Sequence, residues 1–465
     1  MSRQVAQDST ILESTDQLHA HLRSGFKPPR DWGTGIEYER IGVFRDSGET
    51  VPYAGQESIQ SVLRDLADRH GWTALFQEGQ LVELQRDAAA VSLEPGAQME
   101  FAGSVHRDLE ALRCELCSFL QDAEEVAAGH GISFLGIGLN PFTPVERIGW
   151  IPKSRYKIMS RRLGARGKLA HYMMKATSGL QGNFDFSSEE DAVQKLRLAM
   201  GVTSVSTALA ANSPLYAGRP NRFRSMRGFI WLDTDPDRCG LLDLAFHPEE
   251  GYQRYLDYAL SVPVLFVVRD GRWIDMEGYT FRRFLAEGRE GIRPTMADWI
   301  LHLTTLFPEV RLKHYLEVRG MDSVDAGLAV ALMAWWKGLL YSKAASEAAW
   351  QEVADLSWSE RQQLHRDICT SGLGAVVRGR TVGQLASRLT TIAAEGLRRL
   401  HGEGLAADET GLLDPIREIV ASPALAPAAR LLSSWQGAWA GDRSRLVEYC
   451  SRITLGCRES PGGPA

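Results

Sequence analysis

The chain has 465 residues, of which 44% are hydrophobic and 24% charged, and its formal charge is −6. This is the profile of a globular protein with a large core, and its interspersed charges leave no basic face for nucleic acid and no acidic tail. The longest apolar run, near Val262 to Val268, is far too short to span a bilayer, and the opening MSRQVAQDST lacks a basic-then-apolar leader, so a cytoplasmic chain without membrane or nucleic-acid partners is expected.

In chain order, residues 1–29 are polar with one short helical pattern and are expected to be a fraying extension. The segment GIEYERIGVF then alternates as a strand, with Glu37 and Glu39 on one face and Ile36, Tyr38 and Arg40 on the other. Two carboxylates roughly 7 Å apart on a rigid element suit metal ions. In AVSLEPGAQMEFAG, Glu94 precedes a Pro-Gly bend, after which Gln98 and Glu100 share a face opposite Met99 and Phe101.

Cys114 and Cys117 form a CxxC, but Leu109, Leu112, Leu116 and Leu120 surround them at helical spacing, so they read as helix positions rather than a redox motif. The six cysteines contain no pair of CxxC motifs, which argues against a disulfide framework and a structural zinc site. Gly136-Ile137-Gly138 lacks the third glycine of a dinucleotide fingerprint, and no Walker-type loop occurs.

Farther on, LQGNFDF places Gln181, Asn183 and Asp185 on one strand face, with Leu180, Phe184 and Phe186 on the other. EVRLKHYLEVRG reads as one regular strand in which Arg311, Lys313, Glu317 and Arg319 alternate with apolar residues. Beyond about Asp325 the pattern is helical, with capping candidates such as Ser357, and His365 and His401 read as surface or satisfied histidines. Any one of these strands reads equally well as the solvated outer face of a sheet, but four together point to a site. Clustered carboxylates with a side-chain amide suit Mg²⁺, and arginine and lysine hold phosphates or carboxylates, so phosphoryl transfer to a carboxylate is the chemistry they fit.

At these segments the chain resembles the plant and proteobacterial glutamate-cysteine ligases of the carboxylate-amine ligase superfamily. GIEYER, SLEPGAQMEFAG, FLGIGLNP, PKSRYKIM, GNFDFSSEEDA, ANSPL, SMRGFIWLDTD, DYAL, TFRRFLA, HLTTLFPEVRLKHYLEVRG and GLLY follow the family's order over roughly residues 30–345. The resemblance implies an α+β fold, a glutamine-synthetase-like curved antiparallel sheet forming a funnel with flanking helices and a helical C-terminal part. It also implies a single catalytic domain over 30–450, mostly helical over 326–450, followed by a flexible tail over 451–465.

The activity it implies is ATP- and Mg²⁺-dependent ligation of L-glutamate to L-cysteine, or to another amine, through a γ-glutamyl phosphate. By motif, Glu37, Glu39, Glu94, Glu100 and Glu317 would bind magnesium, with Gln98 sharing that role or orienting a carboxylate. Arg155 and Arg227 would hold substrate, Gln181 and Asn183 would line the glutamate and metal site, and Arg311, Lys313 and Arg319 would face the nucleotide phosphates.

The departures from the family are informative. Met276 and Val330 stand where plant relatives have disulfide cysteines, so thiol switching of the plant kind is not expected. Ser178 and Gly182 fall in an altered run over Ala176–Asn183, Leu265 replaces a tyrosine, and Ala326-Gly327-Leu328 replaces a Trp-Arg-Arg run. These changes lie near the expected acceptor pocket, with Ser178 and Leu265 lining it, and they raise the prospect of an amine other than cysteine.

Overall fold

The computed structural model describes residues 8–453 and Leu455. Most of the expected tail, 451–465, therefore lies outside the described residues, as do residues 1–7 of the expected extension. The remainder of that extension is not loose. Helix α1 (Thr15–Arg23) is capped by Ser14, and Leu12, Leu18 and Leu22 are fully buried in the core. Three leucines at wide spacing in a polar stretch bury more than their short pattern suggested.

Nine strands form the main sheet: β1 (Thr34–Phe44), β2 (Thr73–Gln77), β3 (Gln80–Arg86), β4 (Ala89–Leu93), β5 (Met99–Ala102), β6 (Ile132–Leu135), β7 (Gly179–Phe184), β8 (Val310–Leu312) and β9 (Leu316–Asp322). Their order is β8-β9-β7-β1-β5-β4-β3-β2, all antiparallel, with β6 pairing the far end of β1. This is the α+β antiparallel architecture expected from the sequence.

Register explains how the strands make a site. Paired residues in antiparallel strands share a face, so Leu84, Val91, Phe101, Tyr38, Leu180 and Met321 form one apolar row across six strands. Helix α2 (Leu109–Gly129) packs on that side, where Phe119 stacks on Phe101 at 4.3 Å between ring centres. Both cysteines of the CxxC lie on α2.

The opposite face carries the polar partners: Glu83, Ser92, Glu100 and Glu39 in one row, Asn183, Glu317 and Arg311 in another, with Glu37 opposite Gln181. The pairing shifts between Val318 and Met321, a bulge that leaves Arg319 beside Glu317 on the polar side while Met321 rejoins the apolar row.

One element differs from its expectation. The segment over residues 309–320 is a hairpin, not a single strand: β8 turns through Lys313 and Tyr315, whose backbone N–H and C=O pair at 2.8 Å, into β9. Three residues separate the strands and contain neither Gly nor Pro, so the polar alternation runs unbroken through the turn and conceals it.

Helices α3 (Ser154–Gly164), α4 (Ala170–Ala176), α5 (Glu189–Ala210), α6 (Met226–Trp231), α7 (Ala326–Tyr341) and α8 (Trp358–Ser371) complete the parts that matter for the site. All of α7 except Gly327 is buried, as its near-continuous apolar sequence requires, and α8 begins with the Ser357–Glu360 capping box. Gly136 and Gly138 serve close packing: a Cβ on the latter would lie 2.5 Å from the Asp322 carboxylate.

Candidate active site

One cavity opens on the polar face. Glu39, Glu94, Gln98, Gln181 and Arg319 line its sheet side, and Arg155 and Arg227 reach it from α3 and α6. Met173, Met174, Trp231, Phe266, Leu301 and Phe307 make its apolar walls.

Glu39 is held from two directions. Its carboxylate accepts from the Gly179 N–H at 2.7 Å and from Gln181 Nε2 at 3.1 Å. Gln181 Oε1 in turn accepts from Arg319 at 2.5 Å, so a polar chain crosses from β1 through β7 to β9. Burial raises the Glu39 pKa to about 8, helped by the neighbouring charges of Glu94 and Glu100.

Glu94 ends β4 at a tight turn in which Ala97 takes a left-handed conformation, and a Cβ on Gly96 would strike the Lys175 carbonyl. Burial and the charge of Glu100 raise the Glu94 pKa, and its Oε1 is buried without a hydrogen-bond partner. Glu100 accepts from Ser92 Oγ at 2.8 Å.

Gln98 braces this turn. Its Oε1 accepts from the Gly96 N–H at 2.9 Å, and its Nε2 donates to the Thr177 carbonyl at 2.7 Å. The amide is thereby engaged with the backbone of the loop that carries Glu94.

Arg227 lies over Gly179, where a Cβ would come within 2.5 Å of its Nη2, and it donates to the Arg319 carbonyl at 3.1 Å. Asp322 fixes its helix: the carboxylate accepts from Ser213 Oγ at 2.6 Å and from Ser225 Oγ at 2.8 Å, and Ser225 caps α6. Arg155 donates to the Tyr156 hydroxyl at 2.8 Å, and that hydroxyl donates to the Leu93 carbonyl at 3.2 Å, which ties α3 to the Glu94 turn.

The other end of the polar face is arranged differently. Glu317 is fully buried and pairs with Arg311 at 2.6 Å, with Lys313 at 2.8 Å and with Arg319. Burial would raise its pKa, but these three cations hold it well below the usual range. Arg311 also donates to the Thr304 and Leu306 carbonyls, so it acts as a strut between strand and loop and does not face the cavity. Glu37 accepts from Asn183 Nδ2 at 3.1 Å, close to this end. Asp185, expected on the same strand face, lies one residue past β7, where it accepts from the Gly33 N–H and from Lys27.

The structure therefore brings Glu39, Glu94, Gln98, Arg155, Gln181, Arg227 and Arg319 to one cavity. Glu37, Glu100, Asn183, Glu317, Arg311 and Lys313 stand beside or behind it. Ser178 and Leu265 do not line it: Ser178 Oγ donates to the Ile137 carbonyl at 2.5 Å, and Leu265 faces a separate charged cleft with Arg162, Arg238 and Tyr279. Neighbouring residues point to opposite sides, so Phe266 rather than Leu265 reaches the cavity.

Sequence reasoning missed Phe266, Trp231, Asp322 and Lys153. Trp231 follows Arg227 by four residues, the spacing that puts both on one helix face, and this could have been read. Lys153 is buried, donates to the Leu93 carbonyl at 3.2 Å, and has its pKa lowered to about 7 by burial and by Arg155.

Among the described residues, no three acidic, histidine or cysteine side chains converge closely enough to hold a cation by themselves. Glu39 and Glu94 nevertheless suit one, since the charge of Glu94 raises the pKa of Glu39, that of Glu100 raises Glu94, and an oxygen of Glu94 has no partner.

Buried carboxylates lie on one wall of the cavity and arginines reach in from the other side, which makes a polar site of mixed charge. The chain belongs to the glutamate-cysteine ligase family 2, GCS2, whose pattern matches residues 34–449. It is 37% identical over 427 residues to the chloroplastic glutamate–cysteine ligase B of Oryza sativa subsp. japonica, covering 91% of this chain and 84% of that one. The chloroplastic enzyme of Medicago truncatula is 38% identical over 423 residues, covering 90% and 81%. The fold is shared with a glutamate–cysteine ligase from Francisella tularensis solved in complex with AMP, with a TM-score of 0.56 at 12% identity over 93% of this chain and 91% of that one.

Proposed function

We propose that this chain joins the γ-carboxylate of L-glutamate to the amine of L-cysteine, using ATP and Mg²⁺, in the first step of glutathione synthesis. The observation that carries the reading is the juxtaposition of Arg155 and Arg227 with Glu39 and Glu94 around one cavity on a rigid sheet. Family membership supports it.

In this reading Arg155 and Arg227 hold the glutamate carboxylates, since a planar guanidinium matches a carboxylate with two parallel hydrogen bonds. Glu39, Glu94 and Glu100 would hold magnesium, which characteristically takes one or two protein carboxylates and completes its shell with phosphate oxygens and water. The cation would offset charge on the phosphates as they approach the glutamate carboxylate.

A γ-carboxylate oxygen attacks the terminal phosphorus and ADP leaves; the amine then attacks the acyl carbon, phosphate leaves and the nitrogen gives up a proton. No side-chain nucleophile is needed, so the contribution of the protein is alignment and charge compensation. The apolar walls, with Trp231, Phe266 and Phe307, keep water from the acyl phosphate.

The test is direct. Purified protein is incubated with ATP, Mg²⁺, glutamate and a panel of amines, while ADP and dipeptide mass are followed together. Stoichiometric ADP and γ-glutamylcysteine are expected; ADP without dipeptide for any amine would overturn the reading.

A further inference from the structure

Behind Arg227 and Arg319, two of the three arginines that border the cavity, lies a carboxylate that none of the functional roles above uses. Glu309 precedes β8, is 6% exposed, and lines a small recess with Arg227, Trp231, Phe307, Arg319 and Gly320. Four of these, Arg227, Trp231, Phe307 and Arg319, also line the main cavity, so the recess is its back wall.

The carboxylate has one anchor. His365 on α8 is buried, its Nε2 lies at an ion-pair distance of 3.3 Å from Glu309 Oε1 without hydrogen-bond geometry, and its Nδ1 lies 3.1 Å from Ser204 Oγ on α5. The second oxygen, Oε2, is buried with no hydrogen-bond partner. Gly320 makes room for it, because a Cβ there would collide with Oε2 and lie 2.7 Å from Thr207 Oγ1. The backbone binds Glu309 to the same assembly: its carbonyl accepts from the Arg319 N–H at 3.0 Å, and the Arg319 carbonyl accepts from Arg227 Nη2.

A buried carboxylate with an unbonded oxygen is costly unless positive charge compensates it. Burial pushes the Glu309 pKa up, yet His365, Arg227 and Arg319 together bring it below its ordinary value. Arg227 and Arg319, which face the cavity at the front, thus help to offset the carboxylate at their rear.

We propose that Glu309, braced by His365, is a positioning residue whose buried negative charge holds Arg227 and Arg319 in the orientation that receives a substrate carboxylate. Glu309 itself touches no reactant. The inference rests on the reading of the cavity as a glutamate site.

Steady-state kinetics of the full chain test it, with KM measured separately for glutamate and ATP and thermal midpoints measured alongside. Glu309→Gln keeps the shape and removes the charge; KM for glutamate should rise about tenfold, with KM for ATP within about twofold. His365→Leu, which strips the anchor, should reproduce that split, whereas His365→Gln retains a donor toward Glu309 and should recover most of the loss. The Glu309→Gln/His365→Leu double variant should be no worse than Glu309→Gln, since both act through one group.

An unchanged KM for glutamate in Glu309→Gln overturns the proposal. So does a rise in both KM values that tracks the loss of thermal stability, which is what a merely structural pair would give. Failure of the wild-type chain to form dipeptide would sink the ligase reading instead, so the two failures are distinguishable.

Discussion

The two ends of one sheet face hold acidic residues in opposite electrostatic states. At β8 and β9, Glu317 is surrounded by Arg311, Lys313 and Arg319 and is held ionised well below its ordinary pKa. At β1 and the β4–β5 turn, burial and the charges of Glu94 and Glu100 raise Glu39 to about 8, and burial and Glu100 raise Glu94. At the first end three cations already offset the carboxylate, whereas at the second Glu39 lies among the like charges of Glu94 and Glu100. The contrast divides a set of glutamates that the sequence presents as equivalent into scaffold and site.

The sharpest way to break this division is Glu317→Gln. Removing one partner of a buried ion pair leaves uncompensated charge and costs about 3–5 kcal/mol, here with three cations affected. Urea unfolding without magnesium should show that loss. A small change, or one that appears only when Mg²⁺ is present, would make Glu317 a metal ligand rather than a structural anchor.

Glu39→Gln should do the reverse, reducing ligation on the order of a hundredfold while stability in the absence of metal holds or rises. The two ends also differ in pH dependence. Glu39 is raised from 4.5 to about 8, so the folded state keeps a proton that the unfolded chain has released, and stability falls as pH rises between those values. Glu317 is depressed, so its contribution is full above 4.5 and is lost as pH falls below that value. Mg²⁺ should offset the alkaline loss in wild type but not in Glu39→Gln, which thermal melts at pH 5 to 8 would measure.

Much of this was legible before the fold was known, and the limits have physical causes. Period-two alternation placed Glu37, Glu39, Gln98, Glu100, Gln181 and Asn183 correctly on one face, because a strand admits no other geometry. Alternation cannot see a three-residue turn that preserves it, so β8 and β9 read as one strand, and the cross-strand pairing of Arg311 with Glu317 was hidden. Nor can it see distance along the third dimension. Phe266 reaches the cavity and Leu265 does not because of how the hairpin Phe266–Asp275 packs, which is a tertiary fact.

A smaller effect probes how the uncompensated end holds its arginine. Gly179→Ala adds a Cβ 2.5 Å from Arg227 Nη2, the far tip of a flexible side chain, so the fold should survive while the guanidinium shifts. The Gly179 N–H still reaches Glu39. KM for glutamate should rise about tenfold with the thermal midpoint nearly unchanged, in keeping with the cost of misplacing a binding group by about 1 Å. Equal losses in stability and affinity would mean that the glycine serves packing alone.

The smallest effect is expected at Leu265, where the sequence reading anticipated altered amine selection. Its side chain is buried and turned toward the cleft that also holds Arg162, Arg238 and Tyr279, on the far side of the strand from Phe266. Leu265→Tyr therefore extends its hydroxyl into that cleft, and kcat/KM for cysteine relative to 2-aminobutyrate should move less than about twofold. Phe266→Leu, which opens the wall of the cavity itself, should change the same ratio by roughly 10-fold or more, since one or two methylenes' worth of apolar contact is worth about 1–3 kcal/mol in discrimination. The pair of variants isolates orientation from chemistry, because the two residues are adjacent in sequence and differ in the side of the strand they face. A large change in selectivity from Leu265→Tyr with none from Phe266→Leu would place the acceptor in the charged cleft and move the division between scaffold and site to the other face of that hairpin.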